Sequence, residues 1–486
     1  MKKFAVSVLS VVVLFCATIA SGRVFADNID LTTAKQVGSY FLSVMNNTKP
    51  ASISDVRLVY QVNNEQLGIP AAYIFNIAEQ GFVVVSGSEC GNAIIGFSDE
   101  DTLNVNNMPP AMKWWIDGYA QQIIDAQNAK IEPAPEKLAQ WSALYNHELP
   151  AVGNGPKATY LLTSKWGQGE INRPTYNLFC PRVGNQYTYA GCVATAMSMI
   201  MHYWQYPTHA KGSNTYSENG FNLSVNFLQE GHYDYDLMPD QLFYSSPEAQ
   251  IEATALLCYH AGVSVNMGYG LDGSGTLSQY VGPAMKTYFK YRTSYQLRRD
   301  NYSDQVWIDT CTNEINNRRP MYYSGYNTLG GEGRDAGGHA FVVDGIKTGY
   351  PDFFHFNWGW DGSSNSYFNL RTSQMTAGGY CFNSGQAVYV RMDPPVDSNR
   401  FAGIQEISAS LSDPAFPNPA YYQVTIPYEL NGQSSADLQI YSLDGRLVET
   451  IKVYPNAYSV DVNVADYAKG VYIYRLNGCA NKFVVQ

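Results

Sequence analysis

The stretch Tyr189–Trp204 reads YAGCVATAMSMIMHYW and places one cysteine directly after a glycine. The apolar residues that follow have the spacing of a helix turning one face to a core: Val193, Ala196, Met197, Ile200, Met201 and Trp204. Pro207 bounds the predicted helix. Cys192 therefore lies at or near its first turn, where the helix N-terminus favours a thiolate and lowers the thiol pKa. Free cysteines are also common as inert core residues, so this position alone leaves both interpretations open.

The composition is that of a globular protein, with 45% hydrophobic and 15% charged residues in a chain of 486. A chain of this length exceeds one ordinary core and predicts two or three domains. The net charge of -11, with no basic stripe in the sequence, argues against a nucleic-acid-binding protein and against a basic membrane-surface protein. We therefore expect no nucleic-acid partner.

The first residues, MKKFAVSVLSVVVLFCATIA, carry two lysines before an apolar run, and small residues lie close to Ala26. This arrangement predicts a secretory signal peptide over residues 1–26. A membrane anchor is the alternative, but the apolar run is short for a bilayer span. A lipoprotein attached at Cys16 is disfavoured by the bulky Phe15 before it. No other segment is apolar enough to span a bilayer, so we expect an exported mature protein without a membrane span.

Cysteine spacing predicts neither a disulfide framework nor a metal site. The eight cysteines, one of them in the predicted signal, are scattered singly and form no CxxC pair. Export would permit disulfides, and their pairing stays open. Zinc ligation is disfavoured by the same scatter.

The N-terminal block, residues 27–150, has a mixed helix and strand pattern. An amphipathic helix after Thr32 and Thr33 as possible caps carries Ala34, Val37, Phe41, Val44 and Met45 on one face. Strand-like runs follow at 81–87 and 93–98, and a second helix begins behind Pro109–Pro110. The segment 132–156 is rich in proline and glycine, and we interpret it as a domain boundary and a cut site.

The C-terminal block, residues 400–486, follows a proline-containing linker at 392–399 and reads as all β. LQIYSLDGRLVETI contains Asp444–Gly445 between two apolar-patterned runs, a strong hairpin signal. SVDVNVADY alternates apolar and polar residues, as a half-buried strand does. The pattern predicts a small β-sandwich.

A thiolate at Cys192 would need a base, and His339 has the most distinctive setting among the histidines. His202 lies on the same helix, roughly 15 Å from the cysteine, and cannot reach it. His339 sits in AGGHAFVVDG, where two glycines allow a ligand backbone to approach and an apolar strand follows. The remaining histidines show no such setting: His147, His209, His232 and His260.

The next strand, FFHFNWGW at 353–360, offers a partner for the imidazole. In an antiparallel hairpin centred on Thr348, Asn357 would lie directly opposite His339, with Cβ atoms about 5 Å apart. An amide there can orient an imidazole and fix its tautomer. A slip of one residue would turn Asn357 away, and an aromatic core hairpin with a polar end is the alternative interpretation.

Acyl transfer also needs an oxyanion hole. The backbone N–H of Cys192 is one natural donor, and a side-chain amide would be the second. KWGQGE supplies Gln168 in a glycine-flanked loop that precedes the cysteine. Taken alone, a loop glutamine is more often a surface residue.

Four segments together, WGQ, YAGCVATAMSMIMHYWQYP, GGHAFVVDG and FHFNWGWDG, resemble the streptopain family of papain-like cysteine peptidases. The likeness covers about residues 157–393 and extends into the N-terminal block, where GFVVVSGSE and IIGFSDE are similar to that family's propeptide. It implies an α+β fold: a small α+β prodomain at 27–150 and a papain-like two-lobed catalytic domain at 151–393. In that catalytic domain a helix carries the cysteine and an antiparallel sheet carries the histidine.

The same resemblance implies roles for individual residues. Cys192 would be the nucleophile, His339 the general base and Gln168 the oxyanion donor. Trp358 would lie beside the histidine and shield it from water, and Asn357 matches an asparagine of the motif.

Two substrate contacts are implied as well. Gly338 would offer backbone contacts, and Ser274 is the best choice within the loop GYGLDGSGTLS at 268–278. The stretch GYNTLGGEGRDAGGH at 325–339 carries extra residues before the histidine, which would reshape the mouth of the cleft.

The C-terminal segments IYSLDGRLV, GVYIYRL and KFVVQ resemble the sorting domain of Bacteroidetes type IX secretion cargo. That resemblance implies export across the outer membrane, followed by release or attachment to the cell surface.

Together these features predict a secreted cysteine endopeptidase, made as a zymogen, that hydrolyses peptide bonds through a Cys–His dyad and a thioester. Its partners would be protein and peptide substrates and its own propeptide as an intramolecular inhibitor. We expect no metal and no organic cofactor. Two alternatives are a transglutaminase-like acyl transfer on the same dyad and a surface adhesin with a degenerate protease core.

Overall fold

The computed structural model describes residues 28–78, 80–150, 160–326, 338–371, 385–395, 414–428, 430, 435–454, 459–476 and 479–486. The predicted signal peptide, most of the extended loop before His339 and half of the 392–399 linker lie outside these residues. Within the described part of the chain, no helix is both long enough and apolar enough to cross a membrane.

The N-terminal block consists of helices packed on a four-stranded antiparallel sheet. Its elements are α1 (Leu31–Asn46), β1 (Val56–Asn64), β2 (Ile69–Ile77), β3 (Gly81–Ser86), β4 (Ile94–Ser98), α2 (Pro110–Ala129) and α3 (Pro135–Tyr145). The cap of α1 is Asp30, whose carboxylate accepts the Thr33 N–H at 2.8 Å, and not one of the two threonines. The segment predicted as a boundary contains α3, whose Trp141 and Leu144 are buried in the core of this block.

The central block carries the predicted cysteine helix and histidine strand. Its elements are β5 (Arg182–Val183), β6 (Gln186–Tyr187), α4 (Cys192–Trp204), β7 (Asn214–Glu218), β8 (Phe221–Val225), α5 (Phe227–Glu230), α6 (Glu248–Ser264), α7 (Val281–Thr287), β9 (Tyr295–Arg298), α8 (Asp304–Asn316), β10 (Met321–Gly325), β11 (His339–Lys347), β12 (Tyr350–Asn357), β13 (Ser366–Asn369) and β14 (Ala387–Val390).

One ten-stranded sheet runs through both blocks in the order β1-β2-β3-β4-β13-β12-β11-β10-β14-β9. The blocks join where β4 pairs antiparallel with β13, through Phe97 opposite Tyr367 and Gly96 opposite Phe368. Side chains along β11 alternate between two cores, as the two-residue period of a strand requires. Ala340 belongs to the core that holds α4, and Phe341 to the core that holds α2.

The hairpin of β11 and β12 turns where predicted, but its register differs from the prediction. Lys347 pairs with Tyr350 across Thr348 and Gly349, yet Asn357 pairs with Val342 and not with His339. Two register shifts, one after Ile346 and one after Val343, move the strands relative to each other. Such bulges place unequal numbers of residues on the two strands, so counting outward from the turn fails.

The C-terminal block forms two β-sheets around a core of its own, as the predicted sandwich requires. Its strands are β15 (Gln423–Pro427), β16 (Ala436–Ser442), β17 (Leu447–Val453), β18 (Ser459–Asn463), β19 (Gly470–Leu476) and β20 (Cys479–Val485). β15 pairs with β18, and the others form a sheet in the order β17-β16-β19-β20. The predicted Asp444–Gly445 turn joins β16 to β17.

Candidate active site

Cys192 is the first residue of α4, as the apolar spacing predicts. The preceding Gly191 has a φ of 91°, a conformation that residues with a Cβ rarely adopt. A Cβ at Gly191 would also come within 2.9 Å of both the Met267 sulfur and the Ser274 carbonyl oxygen. The glycine before the cysteine is therefore a steric requirement of this helix start.

The Cys192 thiol is partly exposed, yet its pKa is raised and not lowered as the helix position predicts. Burial among protein atoms is the largest cause and favours the neutral thiol. The backbone N–H groups of Ala340, Val193 and Cys192 itself oppose it, because they favour the thiolate. In this structure desolvation outweighs the helix N-terminus.

His339 is the first residue of β11 and pairs with Gly325 on β10. Burial lowers the pKa of His339 to about 4, which favours the neutral imidazole. Within the described residues its ring makes no hydrogen bond, and no bond joins it to Cys192. The Cys192 thiol instead faces the N–H of Ala340, the residue that follows the histidine.

Trp114 of α2 packs against His339, a contact that sequence analysis did not predict. The Trp114 and His339 ring centroids lie 6.3 Å apart. A Cβ on Gly325, the strand partner of His339, would come within 2.0 Å of the Trp114 ring. The N-terminal block therefore covers the start of β11 on one face of the sheet. Cys192 packs against the core on the other face. Trp114 and Trp115 both belong to the core that holds α2, and the local sequence carries no signal for the contact with His339.

Asn357 anchors the loop that carries Gln168. Its side-chain amide donates to the Ser164 carbonyl at 2.7 Å, and its side-chain oxygen accepts the Gly359 N–H at 3.2 Å. Asn357 is buried and its strand partner is Val342. In this structure it is therefore not the orienting neighbour of His339 that the predicted register required.

Gln168 lies beside the start of α4. The Gln168 carbonyl accepts the Ala190 N–H at 3.0 Å, and the Gly167 carbonyl accepts the Thr195 hydroxyl at 3.3 Å. These two bonds tie the loop to the residues on either side of Cys192. They place the Gln168 backbone beside the start of α4, and the role of its side-chain amide in an oxyanion hole stays a prediction.

Trp358 is buried, and its ring packs at steep angles against other aromatic rings. The ring centroids of Phe341 and Phe356 lie 4.8 and 5.2 Å from that of Trp358, and its indole N–H donates to the Ser364 carbonyl at 2.9 Å. Among the described residues, no ring contact joins Trp358 to His339. The position beside the histidine that the resemblance implies remains a prediction.

The two predicted substrate-contact residues flank the site. Gly338 is exposed next to His339. The Ser274 hydroxyl donates to the Tyr189 carbonyl at 2.6 Å and accepts the Gly270 N–H at 3.1 Å, so it fixes its loop against the segment before Cys192.

Two of the other histidines form hydrogen bonds with neighbouring groups of the central block. His202 binds the Met238 carbonyl at 2.9 Å, and buried His260 binds the Tyr233 hydroxyl at 3.0 Å. In the part of the chain that the structure describes, no group of three or more metal-ligating side chains is arranged to hold an ion. Five described cysteines are free thiols: Cys90, Cys180, Cys192, Cys258 and Cys311.

Comparison with known families divides the chain into three matched segments. Residues 166–368 match the Peptidase C10 family, residues 26–123 match the Spi protease inhibitor family, and residues 414–486 match the secretion system C-terminal sorting domain.

Similar proteins extend across more than one of these segments. Streptopain of Streptococcus pyogenes is 27% identical over 424 residues, which are 81% of this chain and 99% of streptopain. The thiol protease/hemagglutinin PrtT of Porphyromonas gingivalis is 27% identical over 392 residues, which are 78% of this chain but only 43% of PrtT. The solved structure of a Prevotella intermedia prointerpain A fragment has 26% identity and a TM-score of 0.55, covering 70% of this chain and 99% of the fragment.

Proposed function

This chain carries a C10-family cysteine peptidase domain between an inhibitor domain and a secretion sorting domain, and on that premise we propose that Cys192 and His339 are its catalytic dyad. The protein is a secreted thiol protease made as a zymogen, and its sorting domain indicates type IX secretion.

One observation carries the assignment. The thiol at the start of α4 lies close to the N–H of Ala340, the residue directly after His339, so the proposed nucleophile lies beside the start of the strand that carries the proposed base. The raised pKa of Cys192 and the lowered pKa of His339 suit a latent state, because both shifts oppose a thiolate–imidazolium pair.

We infer that Trp114 maintains this latency. Its ring packs on His339 and contributes to the burial that keeps the imidazole neutral. Once the N-terminal block leaves, the imidazole gains solvent and space to turn toward Cys192. The pair can then ionise, since an imidazolium beside the sulfur stabilises a thiolate.

The reaction then follows the chemistry of a cysteine nucleophile. The Cys192 thiolate attacks the peptide carbonyl, and the tetrahedral oxyanion accepts hydrogen bonds from the Cys192 N–H and the Gln168 amide. The C–N bond breaks to leave a thioester, while the leaving amine takes a proton from His339. Neutral His339 then removes a proton from water, which attacks the thioester and releases the acid and the thiolate.

Intact-mass analysis over time tests the nucleophile and the maturation together. Residues 27–486 are incubated in mild reductant as wild type, as Cys192→Ala and as the control Cys180→Ala, which removes another free thiol. We expect wild type and the control to shorten by cuts within 132–156 and to react with a thiol-directed epoxide, while Cys192→Ala stays whole and unlabelled. A Cys192→Ala chain that shortens at the wild-type rate would contradict the assignment.

A further inference from the structure

A cavity of about 460 Å³ opens at the C-terminal end of α4, beside the segment 161–164 that precedes Gln168. Its polar and aromatic lining includes Thr163, Ser164, His202, Tyr203, Tyr235 and Asp240. His202 lies ten residues after Cys192 on the same helix, so the two are roughly 15 Å apart. The cavity is therefore separate from the reacting groups.

Ser164 lines this cavity with a hydroxyl that lacks a partner. The residue is 1% exposed, and its hydroxyl makes no hydrogen bond with any of the described residues. The backbone at this point is fixed, because the Ser164 carbonyl accepts the Asn357 side-chain amide at 2.7 Å. A buried hydroxyl without a partner costs free energy, so a polar ligand group that bonds to it is favoured.

Asp240 lies on the same wall of the cavity as Ser164. Its carboxylate accepts the Thr163 hydroxyl at 2.5 Å, and its carbonyl accepts the Lys165 N–H at 2.6 Å. Both neighbours of Ser164 in the chain are thus bonded to Asp240. Because Asp240 is exposed, its negative charge is accessible to a ligand from solvent.

The lining carries negative charge without a compensating positive one. Among the described residues that line the cavity there is neither a lysine nor an arginine. The His202 Nε2–H donates to the Met238 carbonyl at 2.9 Å, and burial lowers the pKa of His202, so its imidazole is neutral at neutral pH. Arg318, outside the lining, accepts the Tyr203 hydroxyl at 3.0 Å with its backbone carbonyl. The cavity therefore favours a cationic ligand group over an anionic one.

A second cavity of about 370 Å³ adjoins the first, because Gln205 and Tyr235 line both. Its lining also lacks lysine and arginine within the described part of the chain. Its acidic and histidine side chains are exposed: Asp234, Asp236, His209 and His232. The two cavities together form an acidic groove with room for more than one side chain.

We propose that this groove is an exosite, a binding surface away from the reacting groups, for a basic segment of a protein substrate, with an arginine side chain in the larger cavity. The guanidinium donates to the Asp240 carboxylate and the Ser164 hydroxyl and packs on a lining tyrosine. Arginine fits better than lysine, because its planar group offers several donors in a fixed arrangement. A second basic side chain pairs with Asp234 and Asp236.

This inference rests on the proposed peptidase function and describes a feature of its substrates. The separation of roughly 15 Å from Cys192 corresponds to about five residues of extended chain. The basic segment therefore lies at least about that far from the scissile bond.

The first test measures binding to the chain of residues 27–486 carrying Cys192→Ala, which cannot cut the probe. The probe is a fluorescent, end-blocked peptide Gly-Arg-Gly-Arg-Gly, and its matched counterpart has neutral citrulline in place of each arginine. Asp240→Asn and Ser164→Ala are compared in the same background with the control Asp300→Asn, an exposed aspartate that lines neither cavity.

Fluorescence anisotropy should show equal Kd values for the arginine peptide in the parent chain and the control. We expect Asp240→Asn to weaken binding by about fivefold and Ser164→Ala by about threefold. The citrulline peptide should bind about tenfold more weakly than the arginine peptide, and added salt should reduce this difference.

The second test asks whether substrates use the groove. A neutral cleavable peptide is joined to Arg-Gly-Arg, on one side or the other, through a Gly/Ser linker of about twelve residues, which reaches roughly 20 Å. With the self-processed enzyme, one of the two placements should lower KM about fivefold relative to its citrulline counterpart, with kcat unchanged. Asp240→Asn should abolish the difference and leave cleavage of the unlinked neutral peptide unchanged.

Equal binding of the arginine and citrulline peptides, or equal Kd values for both variants and the control, would overturn the site. Binding without a KM difference at either placement would overturn its use by substrates. Both results leave the Cys192 assignment standing. Failure of wild type to process itself and to cleave the neutral peptide would instead remove the proposed function, while the binding test still decides whether the groove takes basic peptides. If Asp240→Asn folds poorly, Ser164→Ala and the citrulline peptide decide.

Discussion

At the scale of single residues, burial and not helix position sets the protonation of the two reactive groups. The N-terminus of α4 favours a Cys192 thiolate, yet desolvation raises the thiol pKa. Desolvation likewise lowers the pKa of His339 to about 4. The Trp114 ring contributes to the packing over His339, so we expect the His339 shift to be relieved if the N-terminal block withdrew.

Trp114→Ala should speed self-processing. Removing a ring packed on His339 weakens the latent state by about 1.4 kcal/mol, which corresponds to about tenfold. The measurement is the rate at which the chain of residues 27–486 shortens, with Lys113→Ala at the neighbouring exposed position as control. An unchanged rate for Trp114→Ala would show that the ring does not maintain latency.

At the scale of elements, the pairing of β4 with β13 connects the N-terminal block to the strands of the central block. Only two residue pairs form this ladder, Phe97 with Tyr367 and Gly96 with Phe368. A buried ion pair between Lys347 and Asp99 lies across the same boundary, with both side chains at most 3% exposed. The N-terminal block is thus held against the central block by a short strand pairing together with close side-chain packing.

Gly96→Ala should loosen this joint. The added Cβ would come within 2.5 Å of the Phe368 ring and 2.9 Å of the Tyr367 carbonyl oxygen, both of them in a packed interior. We expect a loss of about 1–3 kcal/mol in the free energy of unfolding of the zymogen. Denaturant unfolding in the Cys192→Ala background measures it, and Glu65→Ala at an exposed turn serves as control. Equal midpoints for the two variants would contradict the predicted strain.

At the scale of the whole molecule, buried neutral histidines should make the zymogen sensitive to acid. The pKa of both His339 and His260 is lowered from 6.5 to about 4 by burial. Between these values the unfolded chain binds more protons than the folded one, so stability falls as pH drops from 6.5 toward about 4. Above that window both states carry neutral imidazoles and the effect is absent.

Thermal unfolding of the Cys192→Ala zymogen across this pH window tests the expectation. The midpoint temperature should decrease with falling pH, and less steeply in a second variant that also carries His260→Gln. Since His260 lies away from the cleft, bound to Tyr233, its replacement separates acid sensitivity from the active site. The same slope in both variants would exclude His260 as a source of the effect.

Short-range patterns were enough to predict the parts of the site that depend on neighbours in the chain. The helix starts at Cys192 after a sterically required glycine, and His339 begins a strand, because helix and strand periods are local properties. The resemblance to the streptopain family and the mixed fold are confirmed by the matched families and by the similar prointerpain structure. The Gln168 backbone lies beside α4, and its role as oxyanion donor stays a prediction.

What the sequence determined by itself was the type of each element and the identity of the chemical groups. Tertiary structure alone decided which groups meet. Two bulges set the register between β11 and β12, in which the Asn357 amide donates to the Ser164 carbonyl. Packing between the N-terminal and central blocks places the Trp114 ring against His339. Burial then reversed the expected direction of the Cys192 pKa shift. These outcomes depend on contacts between residues far apart in the chain, whose energies no local period encodes.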